Sequence, residues 1–176
     1  MKRLISIQLL SILAYTPSLK SQNDFDPKAY GQEILDGKAK LKTKKTMQIV
    51  DSLFCKSEIE RDFYFNVVVK IQELNDLGTK AHLANISSKY YLENTMEFIT
   101  RSKKMKKTEV NKFLDFVAYD IYIFNEKEKD MKVIKGKLKA VYDKHTELPK
   151  SERGLLKKYN AYLFQKASGL IKSNQH

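Results

Sequence analysis

Residues 108–124 read TEVNKFLDFVAYDIYIF, and this stretch decides the fold class. By propensity it is ambiguous, because Val117 to Phe124 is rich in the β-branched and aromatic residues that fit a pleated strand. The spacing points the other way. Val110, Leu114, Val117, Ile121 and Phe124 recur at steps of three and four, which places them on one stripe of a helix. Phe116, Tyr119 and Ile123 form a second stripe on the other side. A helix that is apolar on two faces is a central one. Thr108 stands where an N-cap is needed. Between Lys38 and Lys135 the sole glycine is Gly78 and there is no proline, whereas sheets need frequent turns. The class predicted is therefore all-α. An α+β fold is the alternative, resting on Phe63 to Ile71 and Val117 to Phe124 as strands.

The same reading extends along the chain in both directions. Downstream, Glu128 to His145 carries Met131, Ile134, Leu138 and Tyr142 on its inward side, either continuing the central helix or bending from it. Leu148-Pro149 breaks the chain, and a last helix over Ser151 to Ile171 is expected to bury Leu155, Tyr159, Tyr162, Leu163 and Leu170. Upstream, Thr79 caps a helix with Leu83, Ile86 and Tyr90 on one side. Leu92, Met96 and Ile99 fall on the opposite side, which predicts a break near Ser87-Ser88. Ser57 and Glu60 have the form of a capping box. The helix they open has Ile59, Phe63, Val67, Ile71 and Leu74 as its stripe and Gly78 as its stop. Thr43 to Phe54 is a further helix, with Met47, Val50 and Phe54 on one face, widened by Ile49 and Leu53. Asp26-Pro27 opens a short helix that ends at Gly37. The sum is a compact helical bundle or short α-solenoid of about five to six helices. Leu53-Phe54-Cys55-Lys56-Ser57, followed by Arg61-Asp62 and an apolar helix, resembles the inter-helix turn of a HEAT-type repeat. That resemblance implies stacked helix pairs and a protein-binding scaffold, although the chain shows no second copy.

Residues 1–21 have the layout of a secretory signal. Met1-Lys2-Arg3 is basic, Leu4 to Tyr15 is apolar, and Thr16 to Ser21 is polar with small residues. The apolar stretch is too short to anchor the chain across a bilayer. Cleavage after Ser18 or Ser21 is expected, giving an exported protein, periplasmic or extracellular, with no transmembrane span in its mature form. The predicted organisation is a signal peptide over 1–21, a polar segment with a short helix over 22–42, an all-α domain over 43–172 and a tail over 173–176.

The net charge is +12, and loss of Lys2, Arg3 and Lys20 with no acid leaves +9. Such an excess favours an acidic protein or an anionic membrane surface. Nucleic acid is disfavoured, because the cations are 29 Lys and only 4 Arg, and Arg is the residue suited to bidentate phosphate and base contacts. Lys132, Lys135 and Lys139 fall on one side of their helix, beside the apolar stripe. With Arg101, Lys103, Lys104, Lys106 and Lys107 of the preceding turn they form a candidate basic binding face. The competing interpretation is a solvated surface whose long stems cover the edges of the core.

Catalytic chemistry finds no foothold in the motifs. There is no HExxH or CxxC spacing for a metal, no glycine-rich phosphate loop for a cofactor and no Gly-x-Ser-x-Gly elbow. Cys55, the lone cysteine, reads as a small core hydrophobe. His145, His82 and the Tyr90-Tyr91 pair would be the starting points if the chain were a small enzyme. Glu58 with Asp62 and Glu93 with Glu97 read as solvated charges at helical spacing. The expectation is a non-catalytic protein-binding module of inhibitor, immunity or envelope-scaffold type. A binder of anionic surfaces is the alternative.

Overall fold

The computed structural model describes residues 25–74, 77–125 and 131–173. The predicted signal segment 1–21, residues 22–24, the Glu128–Asp130 start of one predicted helix and the last three residues lie outside the described residues. Among the described residues the chain is all-α, with eight α-helices, two short 3-10 turns and no strand. The helices are α1 (Pro27–Leu35), α2 (Thr43–Asp51), α3 (Glu58–Leu74), α4 (Lys80–Glu93), α5 (Thr95–Ser102), α6 (Lys107–Asn125), α7 (Met131–Lys144) and α8 (Lys150–Ser173). That is more than the five or six read from the pattern.

Local chemistry sets several of the helix ends. Asp26 accepts hydrogen bonds from the amides of Lys28 and Ala29 at 2.8 and 3.1 Å, with Pro27 as the first helical residue. Gly37, at φ 70°, turns the chain out after α1. Ser57 Oγ accepts from the Glu60 amide at 3.3 Å to start α3. α6 begins at Lys107, two residues before the first helical position that a Thr108 cap would give, and the Glu109 carboxylate accepts from the Lys106 amide at 2.8 Å.

The break predicted at Ser87-Ser88 is displaced to Asn94, which has φ −118° and ψ 39°. Ser87 is tolerated within α4 because its hydroxyl is doubly satisfied. It donates to the Leu83 carbonyl at 2.6 Å and accepts from Gln72 Nε2 of α3 at 2.8 Å. At the real break the Thr95 hydroxyl donates to the Tyr91 carbonyl at 2.7 Å, occupying an acceptor near the end of α4.

α6 is the central helix, although Tyr119 of its second predicted stripe is only half-buried. It packs against α4, α8 and α3. Val110, Phe113, Leu114, Phe116, Val117, Ala118 and Ile121 are all buried, while Ile123 is exposed. Side chains from five helices meet in one aromatic cluster. Phe98 of α5 stacks on Phe113 of α6 with ring centroids 4.9 Å apart. Phe65 of α3 lies 5.5 Å from Phe113 and 5.3 Å from Tyr90 of α4. Tyr159 of α8 meets Phe98 edge-on at 5.8 Å. α1 belongs to the same core, contributing Tyr30 and Ile34. Its Gly31 sits so close to the neighbouring helices that an added Cβ would lie 2.8 Å from Ile49 Cδ1 and 2.9 Å from the Phe63 ring.

Two predicted faces are rotated. On α3 the buried residues are Tyr64, Phe65, Val67, Val68, Ile71 and Gln72, whereas Ile59 and Leu74 at the helix ends are exposed. On α8 the buried stripe is Leu156, Asn160, Leu163, Ala167 and Ile171, and Leu155, Tyr159, Tyr162 and Leu170 are only half-buried. A polar residue at the middle of that stripe concealed it. Asn160 donates from Nδ2 to the Leu138 carbonyl at 2.8 Å and accepts the Tyr91 hydroxyl at Oδ1 at 2.6 Å. It thereby ties α4, α7 and α8 together.

Candidate interaction surface

α7 and α8 are joined by the short connection 145–149, which makes them antiparallel neighbours. The Asn160–Leu138 hydrogen bond and the Arg153 guanidinium over the Tyr142 ring at 4.9 Å fix their register. Between them runs an open groove of about 390 Å³. Its α7 wall is Lys135, Leu138, Lys139 and Tyr142, and its α8 wall is Lys157, Asn160, Ala161 and Phe164. Both walls follow the same i, i+3, i+4, i+7 spacing, so each is a single helical stripe facing the other. Leu138 is buried, Tyr142 and Phe164 are half-buried, and the three lysines are exposed at the rim. Lys139 is paired with Asp143 one turn further on.

The eight residues of the predicted basic face are therefore distributed over several places. Lys135 and Lys139 line the groove, joined by Lys157 from the other wall. Lys132 is exposed one turn earlier on α7. Lys103 is paired with Glu152 at the start of α8. Lys106 lies 3.9 Å from Glu109. Lys107 lines a different groove, with Leu155, Lys158, Tyr159 and Tyr162, on the opposite flank of α8. Lys104 borders a polar cleft between α3 and α5.

Arg101 is buried rather than exposed. Its guanidinium is held by Asp62 and by Glu97, the latter at 2.7 Å, and lies 5.3 Å from the centre of the Phe65 ring. Arg61 also reaches Glu97, at 3.2 Å, and donates to the carbonyls of Cys55 and Lys56. Glu97, largely covered, and Asp62, which stays exposed as expected, are members of a network that clamps α5 to α3. With both arginines committed to carboxylates, this network is an internal fastening.

Of the titratable groups singled out by sequence, both histidines have a carboxylate within reach, whereas the buried Tyr90 hydroxyl and His145 Nε2 have no hydrogen-bond partner. His82 Nε2 lies 2.8 Å from the Asp51 carboxylate, joining α4 to α2. His145 is buried just beyond α7, with Nδ1 3.2 Å from Glu147, and lines neither the groove nor the clefts along α6. Burial pushes the hydroxyls of Tyr90 and Tyr91 far above the ordinary tyrosine range. Cys55 is half-buried against the core, and burial raises its thiol above the usual value. Among the described residues no group of three or more His, Cys, Asp or Glu is placed to hold a metal ion. Among the same residues no helix is long and apolar enough to cross a membrane.

Sequence reading identified Lys135, Lys139, Leu138 and Tyr142 but not the opposite wall. Lys157, Ala161 and Phe164 repeat the spacing of the α7 wall, and that repetition was the available signal. No family model matches the chain, and no curated protein or solved structure matches it either.

Proposed function

We propose that the chain is an exported helical module that binds another protein through the groove between α7 and α8, without catalysing a reaction. The observation that carries this reading is the groove itself, an apolar floor between two helices with lysines on both rims. Concave apolar surfaces with a few placed polar groups are where partners are bound. The rigid core beneath it, tied through Asn160, holds the two walls in register. Export rests on the basic, apolar and polar order of residues 1–21.

Affinity purification of the full chain from its native cells tests the binding reading. The wild type should retain a defined protein at constant stoichiometry. The triple variant Lys132→Glu, Lys135→Glu, Lys139→Glu should lose it while its helical circular dichroism and melting temperature hold, since exposed substitutions usually cost within about 0.5 kcal/mol each. Retention that is unchanged in the triple variant removes this face from the account. Amino-terminal sequencing of the native protein should begin near Leu19 or Gln22, and a full-length chain would refute export.

A further inference from the structure

We infer that the occupant of the α7–α8 groove is an acidic amphipathic helix, presenting apolar residues at i, i+4 and i+7 with Asp or Glu on both flanks. The inference rests on the preceding reading that this groove is the partner surface, and it specifies the chemistry of the partner. Length argues first. Each wall runs over eight residues, seven helical steps, from Lys135 to Tyr142 and from Lys157 to Phe164. At 1.5 Å per residue that is about 10 Å, the distance between positions i and i+7 of a bound helix.

Layout argues next. Because α7 and α8 are antiparallel, Lys135 and Phe164 share one end of the groove, and Tyr142 and Lys157 share the other. Lys139 of one wall and the small side chain of Ala161 of the other lie between these ends. Each end therefore pairs a cation on one wall with an aromatic ring on the opposite wall. A ridge of apolar side chains can settle between Tyr142, Leu138 and Phe164 over Ala161, while carboxylates on either flank of that ridge meet lysines on both rims. Among the described residues Lys135 and Lys157 have no carboxylate partner of their own, so their charge faces outward. A membrane surface fits less well. It is flat on this scale and would meet the lysine tips without reaching Leu138 at the floor.

The probe is a fluorescein-labelled 18-residue peptide with Leu at i, i+4, i+7 and i+11 and Glu at the flanking positions. It is titrated against the full chain by fluorescence polarisation, beside a scrambled peptide of the same composition. Saturable binding is expected for the amphipathic peptide, at least tenfold tighter than for the scramble. Ala161→Trp, which fills the groove from its α8 wall, should weaken it at least tenfold without touching the rim charge. Lys135→Glu, Lys139→Glu, Lys157→Glu should do the same without touching the floor, with both variants retaining the wild-type circular dichroism. Equal binding of the scramble, indifference to Ala161→Trp, or no binding of either peptide at millimolar concentration overturns the inference. So does binding of anionic phosphatidylglycerol vesicles that needs the same residues and resists displacement by the peptide. If the native partner is captured through the groove and lost in Ala161→Trp while the peptide fails, the helical-partner inference falls and the binding-module reading stands. If native capture ignores Ala161→Trp, the reading of the groove itself falls.

Discussion

Asn160 and Tyr91 form a buried polar pair whose worth can be worked out before it is measured. Tyr91 is fully buried and Asn160 is 9% exposed, with the hydroxyl donating to Oδ1 at 2.6 Å. Tyr91→Phe leaves Oδ1 buried without its donor, a loss of about 1–3 kcal/mol. Asn160→Leu strands the Tyr91 hydroxyl, again at about 1–3 kcal/mol. The second bond of Asn160, to the Leu138 carbonyl, matters less, because that carbonyl sits in mid-helix and can also serve the α7 ladder. Removing both members replaces a polar pair by apolar groups and should cost little beyond repacking. The double variant should therefore be more stable than the sum of the singles implies, by about 1–3 kcal/mol. Native stabilities of about 5–15 kcal/mol leave each single variant folded. Urea denaturation of all four proteins measures the cycle, read from midpoints at constant slope. Additivity within about 0.5 kcal/mol would mean that the pair does not hold α4 to α8.

Three further perturbations test other parts of the fold. Asp120 is buried, and burial raises its carboxyl pKa against the opposing hydrogen bonds of Ser88 and Asn85. The folded protein then holds this proton more tightly than the unfolded chain, so stability falls as pH rises through the interval between the unfolded and folded values. Asp120→Asn should abolish that component and stabilise the protein at neutral pH, and parallel pH–stability curves for the two proteins would refute it. Val117→Pro in the middle of α6 should unfold the domain or weaken it by about 3 kcal/mol or more, seen as lost ellipticity, because the backbone donor is removed and the ring clashes with the preceding turn. Gly31→Val should lower the melting temperature, consistent with an overpacking cost of about 1–3 kcal/mol where Ile49 and Phe63 already crowd the backbone.

How far the sequence was legible depended on whether the deciding interactions were local. The central helix was legible because its stripe of Val110, Leu114, Val117 and Ile121 is long and regular, although of the second stripe only Phe116 is buried, and the caps at Asp26 and Ser57 because their partners lie within three residues. The faces of α3 and α8 were misjudged for physical reasons. Ile59 and Leu74 are apolar but sit at helix ends beyond the core, while Asn160 is polar yet buried because Tyr91 and Leu138 satisfy it. Arg101 belongs by sequence to a run of lysines. Glu97, four residues earlier, is a local partner, but the Phe65 ring and Asp62 that meet the guanidinium from α3 lie 36 and 39 positions away and no local pattern announces them. The groove was half visible, since the stripe of α7 is plain but its opposite wall emerges only when α8 folds back against it.

The measurement that bears most directly on the proposed function is site-specific photo-crosslinking in the native cell. Benzoylphenylalanine placed at Ala161, exposed on the α8 wall of the groove, should give one discrete covalent adduct with a single protein on illumination. The same residue placed at the exposed Glu33 of α1 should give none. Adduct patterns that are identical at the two positions, or the absence of any protein adduct from Ala161, would contradict the assignment of this groove as the binding surface.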